Sequence, residues 1–210
     1  MYLYMKQLVS SFFDFLKSER RSWVIVLIFL FGFSYTFQYS IENHIFLRFD
    51  PVKEQTSKSQ IINNKLNEIL DEAEGSRVYI FQFHNGMNYY TGAHAQRFTC
   101  TYEVVRDGIS REANNLQDLQ VSIFSWWVEE VLIGRMIYSD VQQMEDYTTR
   151  VTLQQQGIQS IICYPLVYKG KIVGVMGVDY VRRSSERVND PAFQSWFSKQ
   201  TSDIAELIGT

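Results

Sequence analysis

Three side chains with metal-ligating chemistry, His84, His94 and Cys100, fall close together in the chain. Their spacing matches no closed zinc motif, and no CxxC pair or HExxH helix supports them. His84, just ahead of Asn85-Gly86, reads instead as a turn histidine making one side-chain hydrogen bond. The two cysteines, Cys100 and Cys163, are far apart in sequence and form either one disulfide or two buried thiols. Asp179 is a single carboxylate with no acid partner nearby in sequence, which gives general acid–base hydrolysis little to work with. A serine or cysteine nucleophile would need a base placed by the fold, and there is no GxSxG elbow, Walker loop or GxGxxG. These residues predict no catalytic group, no metal site and no cofactor, and hence not an enzyme.

A formal net charge of -3 and the lack of a dense Lys/Arg stripe exclude nucleic acid as a partner. Aromatic content is high, with 15 Phe and 13 Tyr. No internal repeat or low-complexity tract interrupts the chain.

The elements that would position these residues begin with Ser22–Ile41, which holds no Asp, Glu, Lys, Arg or His and is bracketed by Arg20-Arg21 and Glu42. A run of roughly 20 such residues predicts a transmembrane helix, with Trp23, Tyr35 and Tyr39 at the interfaces. Gly32, Thr36 and Ser40 recur every four residues along one side, a seam suited to helix self-association or simply tolerated in a single span. Ahead of it, Met1–Ser18 has the rhythm of an interfacial amphipathic helix, or of a helix continuous with the span. The start reads as an uncleaved anchor rather than a cleavable signal. Lys6, Lys17, Arg20 and Arg21 against Arg48, Lys53 and Lys58 slightly favour a cytoplasmic N-terminus, with the bulk of the chain outside. The predicted organisation is 1–21 cytoplasmic segment, 22–41 span, 42–75 helical stalk and 76–210 globular domain.

Past the span, Asp50-Pro51 reads as an N-cap with proline at the first helical position. Ile62, Leu66, Ile69, Leu70 and Ala73 continue that helix to a stop at Gly75. Arg77–His84 and Arg97–Val105 read as partner strands around a turn at Asn85-Gly86, the second closed by Asp107-Gly108. Val121–Ile133 predicts a buried helix capped by Ser122, Met136–Tyr138 a short strand, and Thr148–Gln156 a helix stopped by Gly157. Ile158–Val167 and Lys171–Val181 form a long hairpin about Lys169-Gly170, with Gly174 and Gly177 marking a bend or close approach. Asp190-Pro191 opens a last helix with Phe193, Phe197, Ile204 and Leu207 inward. The fold class is α+β: one antiparallel sheet packed with helices behind an N-terminal transmembrane helix.

This order, with the hairpin Cys163–Val181 and a closing amphipathic helix, resembles a GAF domain of the GAF/PAS class. In such domains a cavity lies between the sheet and the crossing helices. By position Phe81, Phe83, Tyr89, Tyr90, Phe98, Tyr102, Trp126 and Trp127 would line it, or else form plain core. Over its whole length the chain also resembles the T holin family of T-even-type bacteriophages. The matching residues are Cys163, Tyr164 and Pro165, the turn Lys169-Gly170, the helix Pro191–Ile208, and the strand before Asn85-Gly86. It departs from that family in having no cysteine in the last helix. That resemblance implies a homo-oligomer in the lipid bilayer of the host cell inner membrane, with a periplasmic domain open to an antiholin. Its lesions would release endolysin and time host lysis. The alternative implied by the GAF likeness is a single-pass, membrane-anchored sensor binding a small ligand or partner.

Overall fold

A computed structural model describes Asp14 and residues 19–46, 51–183 and 185–209, in two units divided at Thr56/Ser57. The expected interfacial helix over Met1–Ser18 and the cap at Asp50 lie outside the described residues, Asp14 apart.

The first unit carries one long helix, α1 (Glu19–Phe46). The expectation of a membrane span at 22–41 is corrected here: among the described residues no helix is long and apolar enough to cross a membrane. The unbroken apolar run ends at Phe33, after which Ser34, Tyr35, Thr36, Gln38, Tyr39 and Ser40 dilute the second half. About ten apolar residues is half of what a bilayer core requires. Gly32, Thr36 and Ser40 do share an exposed side of α1, but Thr36 Oγ1 donates back to the Gly32 carbonyl at 2.9 Å, within its own helix. Their expected role as a transmembrane association seam falls with the span.

The second unit is built on a six-stranded sheet with every neighbouring pair antiparallel, in the order β3-β2-β1-β6-β5-β4. Its strands are β1 (Arg77–Asn88), β2 (His94–Val105), β3 (Leu119–Gln120), β4 (Met136–Tyr138), β5 (Ile158–Tyr168) and β6 (Lys171–Val181). One face is covered by α2 (Pro51–Glu72) and the last helix, α5 (Pro191–Gly209). Ile62, Leu66, Ile69, Leu70 and Ala73 of α2 and its exit turn meet Val78, Ile80, Met176 and Val178 of the sheet, and Phe197 and Ile204 of α5 complete the layer. Each fully buried side chain of this kind contributes about 1.5–3 kcal/mol. The predicted stalk is therefore a core helix of the globular unit. It ends as Glu74 takes a left-handed φ of 51° and Gly75 N–H reaches the Leu70 carbonyl, so the stop involves both residues.

The other face carries α3 (Ser125–Ile133), α4 (Tyr147–Gln155) and the segment between β2 and α3. The β5–β6 hairpin stands as expected, Lys169 and Gly170 both adopting positive φ, the conformation of a two-residue type I′ turn. Asn85-Gly86 is not the turn of the first hairpin. β1 runs through it to Asn88, the chain reverses over Tyr89–Ala93, and the pairing slips between Asn85 and Asn88. The strong hairpin dipeptide here marks a bulge. Ser122 caps nothing, since α3 starts at Ser125 behind Phe124, whose side chain makes no capping bond. The N-cap of α4 is Asp146, which accepts from Thr149 N–H at 2.6 Å.

Candidate functional site

Three ionisable residues occupy buried positions in β1, β2 and β6, and antiparallel pairing brings them together. Arg77 opens β1 directly opposite Asp179 on β6, and Glu103 on β2 is opposite Tyr79, two residues along β1. All three charged side chains are almost fully buried. Arg77 Nη1 donates to Asp179 Oδ2 at 3.1 Å, and Arg77 Nε lies 3.2 Å from Glu103 Oε1. The guanidinium also donates from Nη2 to the Ser110 carbonyl at 3.1 Å and from Nη1 to Gln156 Oε1 at 3.4 Å. Breaking such a pair from one side leaves a charge buried alone, which is the costly case.

Glu103 does a second job. Its Oε1 accepts the Glu112 N–H at 2.9 Å and its Oε2 the Ala113 N–H at 3.2 Å. The Glu112 carboxylate in turn comes within 4.0 Å of Arg77. These bonds draw the segment after β2 down over the sheet, where Gln117 Nε2 holds the Cys100 carbonyl at 2.9 Å.

Tyr79 needs a glycine to take its place. It pairs with Gly177 on β6, which pairs in turn with Cys163 on β5. A Cβ at Gly177 would run into the Tyr79 ring, so the ring lies across that glycine and its hydroxyl reaches Cys163 Sγ at 3.2 Å. Gly174 is close in the same way, its missing Cβ facing the Phe81 carbonyl. Both meet the expectation of a close approach within β6.

Burial dominates the electrostatics. It pushes the Asp179 carboxyl up to about 7 against the pull of Arg77, and it drives the Tyr79 phenol well above its usual range. The Cys163 thiol is raised by burial too, and Cys100 is pushed up to about 12, so both stay protonated. Both cysteines are free and buried, and they stand on β2 and β5 with β1 and β6 between them. Three strand spacings of about 4.8 Å place them far beyond disulfide reach, so of the two readings of the cysteines the buried thiols hold.

Above this cluster the sheet, α3, α4 and the segment after β2 enclose a cavity. It offers about 50 Å³ to the centres of water-sized molecules, within a hollow of about 510 Å³ that opens to solvent. At roughly 10–15 Å³ per water this is room for a few waters or a molecule of a few heavy atoms. Its walls are Phe81, Phe98, Phe124, Trp127, Leu116 and Leu153, and its polar floor and rim are Arg77, Asp179, Thr149 and Gln156. Asp179 Oδ1, Thr149 Oγ1 and Arg77 Nε are buried with no hydrogen-bond partner among the described residues.

Of the eight aromatics expected at a pocket, Phe81, Phe98 and Trp127 line this one. Phe83 packs on Phe98 at 6.2 Å, one ring back. Tyr89 and Tyr90 are exposed at the tip of the β1–β2 hairpin. Trp126 turns away toward Tyr138. Tyr102 faces the other layer, because the β1–β2 register slips between Ile80 and Phe81, leaving Thr101 as the extra residue on β2. His84 lies within β1, on the sheet face opposite Cys100, and its two ring nitrogens contact Thr99 Oγ1 at 2.9 Å and the Asn85 carbonyl at 3.3 Å, so it is a strand residue with two contacts rather than a turn histidine with one. Sequence reasoning missed Arg77, Tyr79, Glu103, Thr149 and Gln156. The signal for two of them, Arg77 and Glu103, was present: an ionisable residue adjoining a run of apolar strand residues must find a counter-charge once buried.

No protein-family model and no curated protein matches the chain in sequence. Solved structures match it in fold. The GAF domain of Thermosynechococcus elongatus PixJ, in its blue-light absorbing form, is 16% identical over 74% of this chain and 86% of its own, with a TM-score of 0.57. A GAF domain region from Geobacter sulfurreducens is 17% identical over 77% and 99%, with a TM-score of 0.59. The GAF domain of an Acinetobacter phosphoenolpyruvate-protein phosphotransferase is 15% identical over 75% and 87%, with a TM-score of 0.51. The chain has the GAF fold. The holin resemblance is thereby corrected: the Cys163–Tyr164–Pro165 hairpin and the last helix are parts of that fold, and the spanning helix the resemblance required is not found among the described residues. Phage lysis goes with it.

Proposed function

We propose that the chain is a sensor or ligand-binding module whose ligand enters the cavity over the Arg77–Asp179 pair. The observation that carries this reading is a hollow with apolar walls into which a few buried polar groups converge, the usual make-up of a small-molecule site. Binding rather than catalysis fits the thiols. Cys163 is protonated and bonded to Tyr79, which makes it a poor nucleophile. The room at hand suits a small metabolite; a pigment absorbing visible light, as in PixJ, needs a far larger conjugated frame.

The test is a screen of small neutral and charged fragments against the full chain, with Leu and Ile methyl groups labelled for NMR. Binding at the cavity moves the resonances of Leu116, Leu153 and Ile161, and enlarging the wall by Phe124→Ala admits bigger fragments. A screen in which no fragment moves those methyls in either protein rejects the reading.

A further inference from the structure

We propose that the cavity takes a small organic ammonium ion, its N–H groups donated to Asp179 Oδ1 and Thr149 Oγ1 and its hydrocarbon laid against Phe81, Phe98 and Trp127. This rests on the reading of the cavity as a ligand site and names what the site selects.

The unmet polar atoms set the hydrogen-bond pattern. Asp179 on β6 and Thr149 on α4 line the same hollow, and neither Asp179 Oδ1 nor Thr149 Oγ1 makes a hydrogen bond among the described residues; the Tyr79 hydroxyl, bonded to Cys163 Sγ, is the nearest protein donor to the Asp179 carboxyl. A buried carboxylate oxygen without a donor is an expensive arrangement, and a ligand with several N–H groups on one atom can serve both acceptors at once. Arg77 spends Nη1 on Asp179 Oδ2 and Gln156 and Nη2 on the Ser110 carbonyl, while its Nε, which makes no hydrogen bond, lies 3.2 Å from the Glu103 carboxylate.

Charge decides between a cation and a neutral donor. The groups facing Asp179 are Arg77 and Tyr79 from β1, Glu103 and Cys100 from β2, Cys163 from β5, and Glu112 from the segment after β2. α4 brings only Thr149, Thr152 and Gln156 to the cavity, with Leu153. Arg111 donates to the Glu103 carbonyl at the outer edge. With Asp179 ionised, three carboxylates meet two guanidinium groups and the cluster is one positive charge short; with Asp179 protonated the charges balance. An anion would add to the excess; an ammonium removes it. The walls agree, since aromatic rings attract a cation within about 6 Å of a centroid. The cavity volume limits the ligand to a short alkyl or small branched amine.

A bound cation stabilises ionised Asp179, which burial holds near pH 7, so binding should release a proton and tighten from pH 6 to 8. The experiment titrates the full chain with isobutylammonium chloride, isobutanol and sodium isobutyrate, followed by calorimetry and by the Leu and Ile methyl shifts. The expected result is isobutylammonium binding at least about tenfold tighter than either isostere. Asp179→Asn should weaken it at least about tenfold and Thr149→Val about fivefold. Should Asp179→Asn fail to fold, the near-isosteric Thr149→Val carries the comparison. Equal or tighter binding of the alcohol or the carboxylate, or amine binding that neither variant alters, overturns the proposal. If isobutylammonium is silent while another fragment moves the cavity methyls, the ligand class is wrong and the site stands. If every fragment is silent, both fall.

Discussion

Asp179 links the stability of this protein to its candidate chemistry. Its folded-state pKa of about 7 lies above the ordinary carboxylate value of 3.8, so between these limits the folded protein holds a proton that the unfolded chain has released. The contribution of this group is therefore most favourable below about pH 4, weakens as pH rises to about 7, and is constant above that. Urea unfolding across this range should show that decline in the wild type and a flatter profile in Asp179→Asn. Arg77→Met leaves Glu103 and Asp179 buried without their counter-ion and should cost about 3–5 kcal/mol at pH 8. The loss should be smaller at pH 5, where Asp179 takes up a proton; an equal loss at both would disconnect the pair from the titration. None of this was legible from Asp179 alone. Its partner lies 102 residues away in sequence, and only the β1–β6 register makes them neighbours.

At the scale of elements, the strands and helices were readable where their signals were local. The type I′ hairpin, the α4 stop at Gly157 and the apolar stripe of α2 all follow from residues within one or two turns of each other. What was not readable depends on register. The slip beside Thr101 sends Phe98 and Tyr102 to opposite faces although their spacing is even, so a list of pocket aromatics drawn from alternation was bound to mix the two layers. Asn85-Gly86 misled for a related reason: the hairpin reverses only at Tyr89–Ala93, and the glycine instead clears room for the Arg97 side chain. Gly177 offers a test at this scale. Gly177→Ala should eject the Tyr79 ring from β6 and destabilise by about 1–3 kcal/mol. Tyr79→Phe, which loses only the bond to Cys163, should cost about 1 kcal/mol. Melting curves that reverse this order would show that the ring does not rest on that glycine.

At the scale of the molecule, the composition misjudged the N-terminal segments. A charge-free stretch was read as a span when its second part is too polar, and a helix read as a stalk is half of a core layer. The second point is directly testable. A fragment of residues 57–210 keeps Ile62, Leu66, Ile69 and Leu70 and should melt cooperatively, with dispersed amide resonances. A fragment of 76–210 exposes the sheet face beneath them and should aggregate or melt without a transition. A cooperative 76–210 fragment would return α2 to the role of a connector.

The clamp that Glu103 makes on the Glu112 and Ala113 amides has one more implication. Leu116 and Leu119, a few residues further on, line the hollow, so loosening that clamp would widen it. The same carboxylate neutralises Arg77, and letting go of the roof therefore unsettles the floor. Filling the hollow should therefore be coupled to the looseness of the segment held by that clamp. The deuterium uptake of those two amides should keep time with it, slowing when the chamber is filled and quickening when the arginine beneath is removed.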